Sequence, residues 1–346
     1  MLSWLGILTV MLSGALALYL TPLAIRAART WGIVARPDGG LRDHADAVPY
    51  LGGLAMYLAL LLSLVFVVDF TPHLMGLLFG GTIILMVGLI DDFGAMTPRV
   101  KLFGQVIAVL ALIKGGVYLK LVIFDFRWPL ELPLFPWVLS AVWLVGMANA
   151  LNFLDIEDGL AGGVAACCCP ALFTVAWLNG QPETALFIAG IFGATAGFLR
   201  YNLPFPKARV YMGDAGSLFL GLSLGALAMI GSYTEKNDLA AVCPAIILGV
   251  PCFELMVVVV ARLRKGIPIW YGSRDHVSKR LVEAGLSKRA SLYLHCGTSL
   301  LLGGLAIFIM NTNIKNALIA VSGLAAVALP AFFLILRIKM EEPGQE

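Results

Sequence analysis

Short stretches of this chain hold residues whose types and spacing could do chemistry. Asp91 and Asp92 stand side by side after the apolar run Gly88-Leu89-Ile90. Asn152, Asp155 and Asp158 recur at every third position within the stretch Asn149 to Gly163, a spacing that would place them on one face of a continuing helix. Gly213-Asp214-Ala215-Gly216-Ser217 opens another apolar run, and Ser273 to Leu281 carries Arg274, Asp275, His276, Lys279 and Arg280, with Lys288 and Arg289 following. Each has a bland explanation taken singly: a solvated helix end for Asp91-Asp92, an N-cap for Asp214, and a topogenic, lipid-attracting run for the basic stretch. Their company argues for more. Acids stacked toward a helix C-terminus oppose the macrodipole, so structure alone would not select them. Carboxylates that converge repel unless a divalent cation or protons intervene. A glycine-lined helix start accepts phosphate, and magnesium takes hard oxygen ligands shared with substrate phosphates. The chemistry suggested is therefore phosphate chemistry at a cation-loaded acidic cluster, with His276 and the bidentate fork of Arg280 on the anion.

The elements that must position these residues are membrane helices. The chain has 346 residues, of which 60% are hydrophobic and 13% charged, and its mean hydropathy is +0.91. A soluble domain carries about a quarter charged residues, so this one cannot cover itself with charge. Apolar segments long enough to cross a bilayer recur at about 2–24, 50–68, 73–90, 102–117, 136–152, 163–178, 184–199, 215–231, 239–261, 291–310 and 317–336. The expected fold is all-α: one polytopic membrane domain over residues 1–346 with about eleven spans. The segment Met1 to Leu20 reads as the first span and not as a cleaved signal. Tyr118 to Pro136 alternates apolar and polar residues and could form a small hairpin.

Charge placement orients the bundle. With the segment after the first span inside, Lys114, Lys120, Arg127, Lys236 and Lys315 fall outside, and the rest of the 24 Lys and Arg fall inside. By the positive-inside rule the N-terminus is outside and the C-terminus cytoplasmic. The acids and the basic stretch then share the cytoplasmic face, in loops 25–49, 91–101, 153–162, 200–214 and 262–290. A net charge of +3 gives no reason to expect a nucleic-acid partner. Cys167, Cys168, Cys169, Cys243, Cys252 and Cys296 lie in apolar runs without CxxC spacing and read as small buried hydrophobes. Glu254, inside an apolar run, is a lone intramembrane acid and a functional candidate by default.

At these residues the chain resembles the polyprenyl-phosphate N-acetylhexosamine-1-phosphate transferase family, over about residues 30–290. The Asp91-Asp92 pair carries the likeness, with the Asn149 to Gly163 stretch, the Gly213 to Ser217 turn, and His276 to Arg280, which is similar to His-x-x-His-Arg. A weaker element is Pro37 to Gly53 with His44. The chain departs from the family's pattern at Ile156 and Glu157, at Lys279 in place of a second His, and by an extra residue between Pro37 and His44. The resemblance implies transfer of a HexNAc-1-phosphate, expected to be GlcNAc-1-phosphate, from a UDP-N-acetylhexosamine to undecaprenyl phosphate with release of UMP. It implies Mg²⁺ or Mn²⁺ on Asp214 and Asp92, and Asp91 or Asp92 as the base. Asn152, Asp155 and Asp158 would position nucleotide and metal; His276, Arg280, His44 and Gly213 would contact substrate. It further implies the bacterial inner membrane as location, with a homodimer among the assemblies it allows.

Two other classes compete. A secondary transporter would use Glu254 and the many spans, but its site belongs near the midplane, not at the cytoplasmic helix ends. A CDP-alcohol phosphotransferase would carry an Asp-Gly-x-x-Ala-Arg signature, whereas Asp158-Gly159 runs into Leu160-Ala161-Gly162-Gly163.

Overall fold

The computed structural model describes residues 2–35, 48–69, 71–119, 134–203, 205, 207–338 and 340. Helices account for nearly all of its regular structure, as the composition demands. In chain order they are α1 (Leu2–Thr30), α2 (Gly52–Val65), α3 (Pro72–Asp92), α4 (Pro98–Lys114), α5 (Leu134–Leu154), α6 (Leu160–Leu178) and α7 (Pro182–Asn202). They continue with α8 (Gly213–Ile230), α9 (Cys243–Ile247), α10 (Gly249–Arg264), α11 (Val277–Glu283), α12 (Lys288–Asn311) and α13 (Ile314–Arg337). Starts are written locally. Thr71 and Thr97 each precede a proline and accept a hydrogen bond from the backbone N–H three residues on, while Ser287 and Asn313 do the same for α12 and α13. Such caps satisfy donors that a helix leaves open, and proline at the first position forfeits nothing.

Every apolar segment expected from the sequence coincides with a helix or a helix pair, but the count of spans differs. By length and composition eight helices among the described residues can cross a membrane, or nine if the pair Asp238–Ile247 and Gly249–Arg264, bent by 74°, is one span. The expectation of eleven also requires α2 and α4. These have 14 and 17 residues, or about 21 and 26 Å at 1.5 Å per residue, against a hydrocarbon core of about 30 Å. The expected hairpin at Tyr118 to Pro136 falls largely outside the described residues. The sequence reading also left out α11, a seven-residue helix within the basic stretch.

The centre of the bundle is α8, in which every residue except Asp214 and Ile230 is buried. Small residues let its neighbours come close, as membrane packing requires where lipid supplies no hydrophobic drive. A Cβ at Gly53 of α2 would meet the backbone of Gly216, one at Gly88 of α3 the backbone of Ala215, and one at Gly221 the α5 backbone at Met147 and Ala148. At the opposite extreme, Ala317 alone among the described residues of α13 is buried, which marks the lipid-facing rim. Two short antiparallel strands, β1 (Val34–Ala35) and β2 (Val48–Pro49), dock on the chain before α8. Pro49 O accepts from Tyr211 N at 2.8 Å, and Met212 O accepts from Gly53 N at 2.9 Å. The C-termini of α3 and α5 and the N-terminus of α8 thus meet at one end of the bundle.

Candidate active site

Adjacent acids at the end of α3 take separate tasks. The Asp92 carboxylate turns onto the start of α8, accepting from the backbone N–H of Asp214 (2.8 Å) and of Ala215 (3.2 Å). A carboxylate here meets two open donors and the positive end of the helix dipole. Gly213 has φ +70°, and a Cβ on it would run into the Asp92 carboxylate. Asp91 turns the other way, to Lys101 Nζ at 2.8 Å. Gly94, at φ +72°, ends α3, and Thr97-Pro98 starts α4 at once, which carries Lys101 back to the acids. Lys101 Nζ also pairs with Asp214 Oδ2. The other Asp214 oxygen accepts from Asn152 Nδ2 at 2.9 Å, and the same amide donates to Ser217 Oγ at 3.0 Å. The side chains of Lys101, Asp91 and Asp214 keep 17%, 20% and 31% of their surface, so the cluster is enclosed yet reachable. Beside it a cleft of about 470 Å³ is lined by Trp31, Ile33, Val34, Asp92 and Phe93.

The expected single helix face for Asn152, Asp155 and Asp158 does not form. Helix α5 stops at Leu154 and Gly159 adopts φ +77°, while acidic side chains favour turns by competing for backbone donors. Asp158 turns to accept from Ala208 N at 3.3 Å. Asn202 ties the same turn, accepting from Gly159 N at 3.0 Å and donating to Val210 O at 2.9 Å. Asp155 stays with the acids. Loss of solvent pushes its carboxyl well above the usual range, and the charges of Asp214, Asp92 and Asp158 push it further. Glu157, in the same turn, is also raised by burial, with Lys279 and Lys288 pulling it back down. Two departures from the family pattern, Glu157 and Lys279, therefore feel each other.

The basic stretch is closed on itself. Buried Asp275 takes Arg280 Nη2 at 2.8 Å and Lys265 Nζ at 3.0 Å, and Arg280 Nη1 donates to Ile338 O at 2.7 Å beyond the end of α13. Arg280, expected on a phosphate, is 4% exposed and ties α11 to α13. His276 packs edge-on against Phe153, ring centroids 5.9 Å apart, and Phe153 also lies under the Arg262 guanidinium at 4.8 Å. Since Phe153 follows Asn152, His276 borders the cluster without bonding to its acids. Glu254 is not alone: it bonds His276 Nδ1 at 2.8 Å. His44 lies outside the described residues.

The residue that sequence reasoning missed is Lys101. Its signal was a single Lys just inside an apolar helix on the acidic side of the chain, and it was counted as topogenic charge. Among the described residues no group of three or more His, Cys, Asp or Glu is arranged to hold a metal ion by itself. The donors present nonetheless suit a hard cation, because Asp91 and Asp214 bring carboxylate oxygens to the same Lys101 ammonium and magnesium completes its shell with water and substrate phosphate.

The sequence model of Glycosyl transferase family 4 matches residues 74–232. A Bacillus subtilis (strain 168) protein named "Probable undecaprenyl-phosphate N-acetylglucosaminyl 1-phosphate transferase" is 31% identical over 277 residues, covering 80% of this chain and 76% of its own. The chain belongs to this family. Undecaprenyl-phosphate alpha-N-acetylglucosaminyl 1-phosphate transferases of Escherichia coli (strain K12), 25% identical over 78% of this chain and 75% of theirs, and of Salmonella typhi, 26% identical over 82% and 78%, are similar to it too. The stretch shared with glycosyl transferase family 4 holds Asp91, Asp92, Lys101, Asn152, Asp155, Asp158 and Asp214. Glu254, His276 and Arg280 fall beyond it.

Proposed function

We propose that this chain transfers GlcNAc-1-phosphate from UDP-GlcNAc to undecaprenyl phosphate and releases UMP, at the cytoplasmic face of the bacterial inner membrane. The observation that carries the reading is the meeting of Asp91, Asp214, Asn152 and Lys101 where α3 and α5 end and α8 begins. A helix-end site lies at headgroup depth, where a lipid phosphate and a cytosolic nucleotide sugar can both arrive. The Lys and Arg that cluster in the same segments as the acids support a cytoplasmic location for that end. The same depth disfavours a midplane transport site.

Phosphoryl transfer asks mainly for positioning and for neutralisation of spread charge. Asp91, held by Lys101 through Oδ2, takes the proton from the lipid phosphate. The phosphate oxygen then attacks the β-phosphorus, forming a new P–O–P bond. The bond from that phosphorus to the bridging oxygen breaks, and the electron pair leaves on UMP. Lys101 supplies a fixed positive charge beside the diphosphate. Asn152 holds Asp214 in one orientation, and Asp92 holds the helix end that carries Asp214. Asp214 and Asp155 would hold Mg²⁺ or Mn²⁺, which when bound neutralises diphosphate oxygens. The test is UMP release by purified protein given undecaprenyl phosphate, Mg²⁺ and a panel of UDP-sugars. Release with UDP-GlcNAc supports the reading, and no release with any UDP-N-acetylhexosamine overturns it.

A further inference from the structure

Two amides lie one turn further from the helix ends than the acidic cluster, and the reaction described so far makes no use of them. Gln105 follows Lys101 by one turn of α4, and Asn149 precedes Asn152 by three residues on α5, spacings that put each pair on one helix face. Gln105 is 1% exposed. Its Nε2 donates to Asn149 Oδ1 at 3.3 Å, and Asn149 Nδ2 donates back to Gln105 Oε1 at 2.7 Å. Asn149 Nδ2 also donates to Val145 O at 2.8 Å. A backbone carbonyl can only accept, so this last bond decides which way the Asn149 amide faces and, through it, how Gln105 must face. The two helices are thus joined at two levels. At the cluster they share Asp214, whose oxygens take Lys101 from α4 and Asn152 from α5, and one turn deeper the reciprocal amides join them directly.

Packing alone does not ask for amides at the deeper level. Two leucines would fill similar space in an apolar bundle, and a buried polar pair is best known as a device that sets register at some cost in stability. The pair is satisfied at one relative height of the helices, since a slide of about 2 Å along α5 takes both bonds out of range. Height is what Lys101 needs. Its long, rotamer-rich side chain has to set one ammonium between Asp91 on α3 and Asp214 on α8. We propose that Gln105 and Asn149 are positioning residues for the transfer reaction: their amide pair sets the height of α4 against α5 and so brings the Lys101 ammonium to the place where it meets Asp91 and Asp214. The inference rests on the proposed transfer activity and adds to it two residues outside the acidic cluster, which act through Lys101.

The experiment uses the full-length protein with Gln105→Leu, Asn149→Leu, both together, and the exchanged pair Gln105→Asn with Asn149→Gln. Each is followed by UMP release against UDP-GlcNAc concentration and by Tm in detergent. A single leucine leaves one buried amide unpaired and should lower kcat/KM about tenfold. The double-leucine variant separates positioning from packing. With no amide left unpaired it should keep its Tm, yet stay about tenfold slow, because nothing then sets the height of α4. The exchanged pair should recover part of the rate. In a Lys101→Met background, Gln105→Leu should change kcat/KM by less than about twofold. A double-leucine variant at wild-type rate, or equal losses with and without Lys101, would make the pair a packing tie and overturn the inference. Acylation of Lys101 by a water-soluble N-hydroxysuccinimide ester, mapped by peptide and referred to the exposed Lys315, reads the same restraint apart from turnover. It should be about tenfold faster in the double-leucine variant, as the charge-assisted bonds of the ammonium loosen, and an unchanged rate overturns the inference. A wild type that releases no UMP sinks the transfer reading instead, and the acylation rate then decides by itself whether the pair holds Lys101.

Discussion

The two charged regions at the working end of this bundle are built from the same residue types and are spent differently. Around Asp91, Asp92 and Asp214, acids outnumber bases, Lys101 contacts Asp91 and Asp214, and these three side chains keep a sixth to a third of their surface. Around Asp275, bases outnumber acids. Arg280 and Lys265 both close on one acid that is fully buried, and backbone carbonyls at the end of α13 and of Asp275 itself take the other guanidinium donors. An open cluster with excess negative charge suits the proposed cation and phosphate. A closed one is prepared for holding helices together. Residue type alone does not separate these uses; the balance of partners does.

That contrast can be broken by substitution, and the largest effect belongs in the open cluster. Asp214→Asn removes the charge while keeping the shape, so activity should fall about a hundredfold or more. EDTA should abolish wild-type turnover and Mg²⁺ restore it. UMP release by Asp214→Asn at wild-type rate would remove the cluster from the chemistry. Lys101→Met should come next. Without its ammonium, Asp91 and Asp214 face each other unscreened, and a loss of about tenfold to a hundredfold in kcat/KM is expected from the missing charge-assisted bonds.

In the closed region the readout should change from rate to stability. Arg280→Ala leaves Asp275 with half of its pairing, and breaking a buried pair costs about 3 to 5 kcal/mol, which should appear as a lower Tm in detergent. A raised KM for the UDP-sugar with Tm unchanged would return Arg280 to the substrate and dissolve the distinction drawn above. A smaller effect should join the two regions: Glu157→Gln and Lys279→Gln are expected to be non-additive by about 1 kcal/mol in Tm-derived stability, because Glu157 lies within the field of Lys279. Lys236→Ala, at an exposed bond to Asn311, should change stability by no more than about 0.5 kcal/mol.

The helices were legible because apolar run length is a direct consequence of bilayer thickness, and the meeting of Asp91, Asp92, Asn152 and Asp214 was legible because several charged helix ends are unexpected in so apolar a chain. What failed did so for local reasons. Asn152, Asp155 and Asp158 have helical spacing, but α5 stops at Leu154, and Gly159 in the left-handed region opens the next helix. Helix α11 has seven residues among charges, too short to leave a periodic signal. Lys101 looked like one basic residue among many, since nothing in sequence says that Gly94 and Pro98 fold α4 back beside Asp91. Arg280 was read by its capacity to bind phosphate, and capacity does not reveal that Asp275 already fills it.

One more consequence follows from the burial of α8. A helix enclosed on every side cannot be judged by the residues it displays, and α8 displays chiefly Asp214 at one end and Ile230 at the other. Its docking depends on Gly53, Gly88, Gly216 and Gly221, each of which faces foreign backbone where a methyl group has no room. Those glycines are therefore assembly determinants in a bilayer, where a helix that fails to dock stays dispersed in lipid instead of aggregating or unfolding. A library screened for lost activity alone would gather such variants beside Asp214 and mistake a helix that never arrived for a site that does not work.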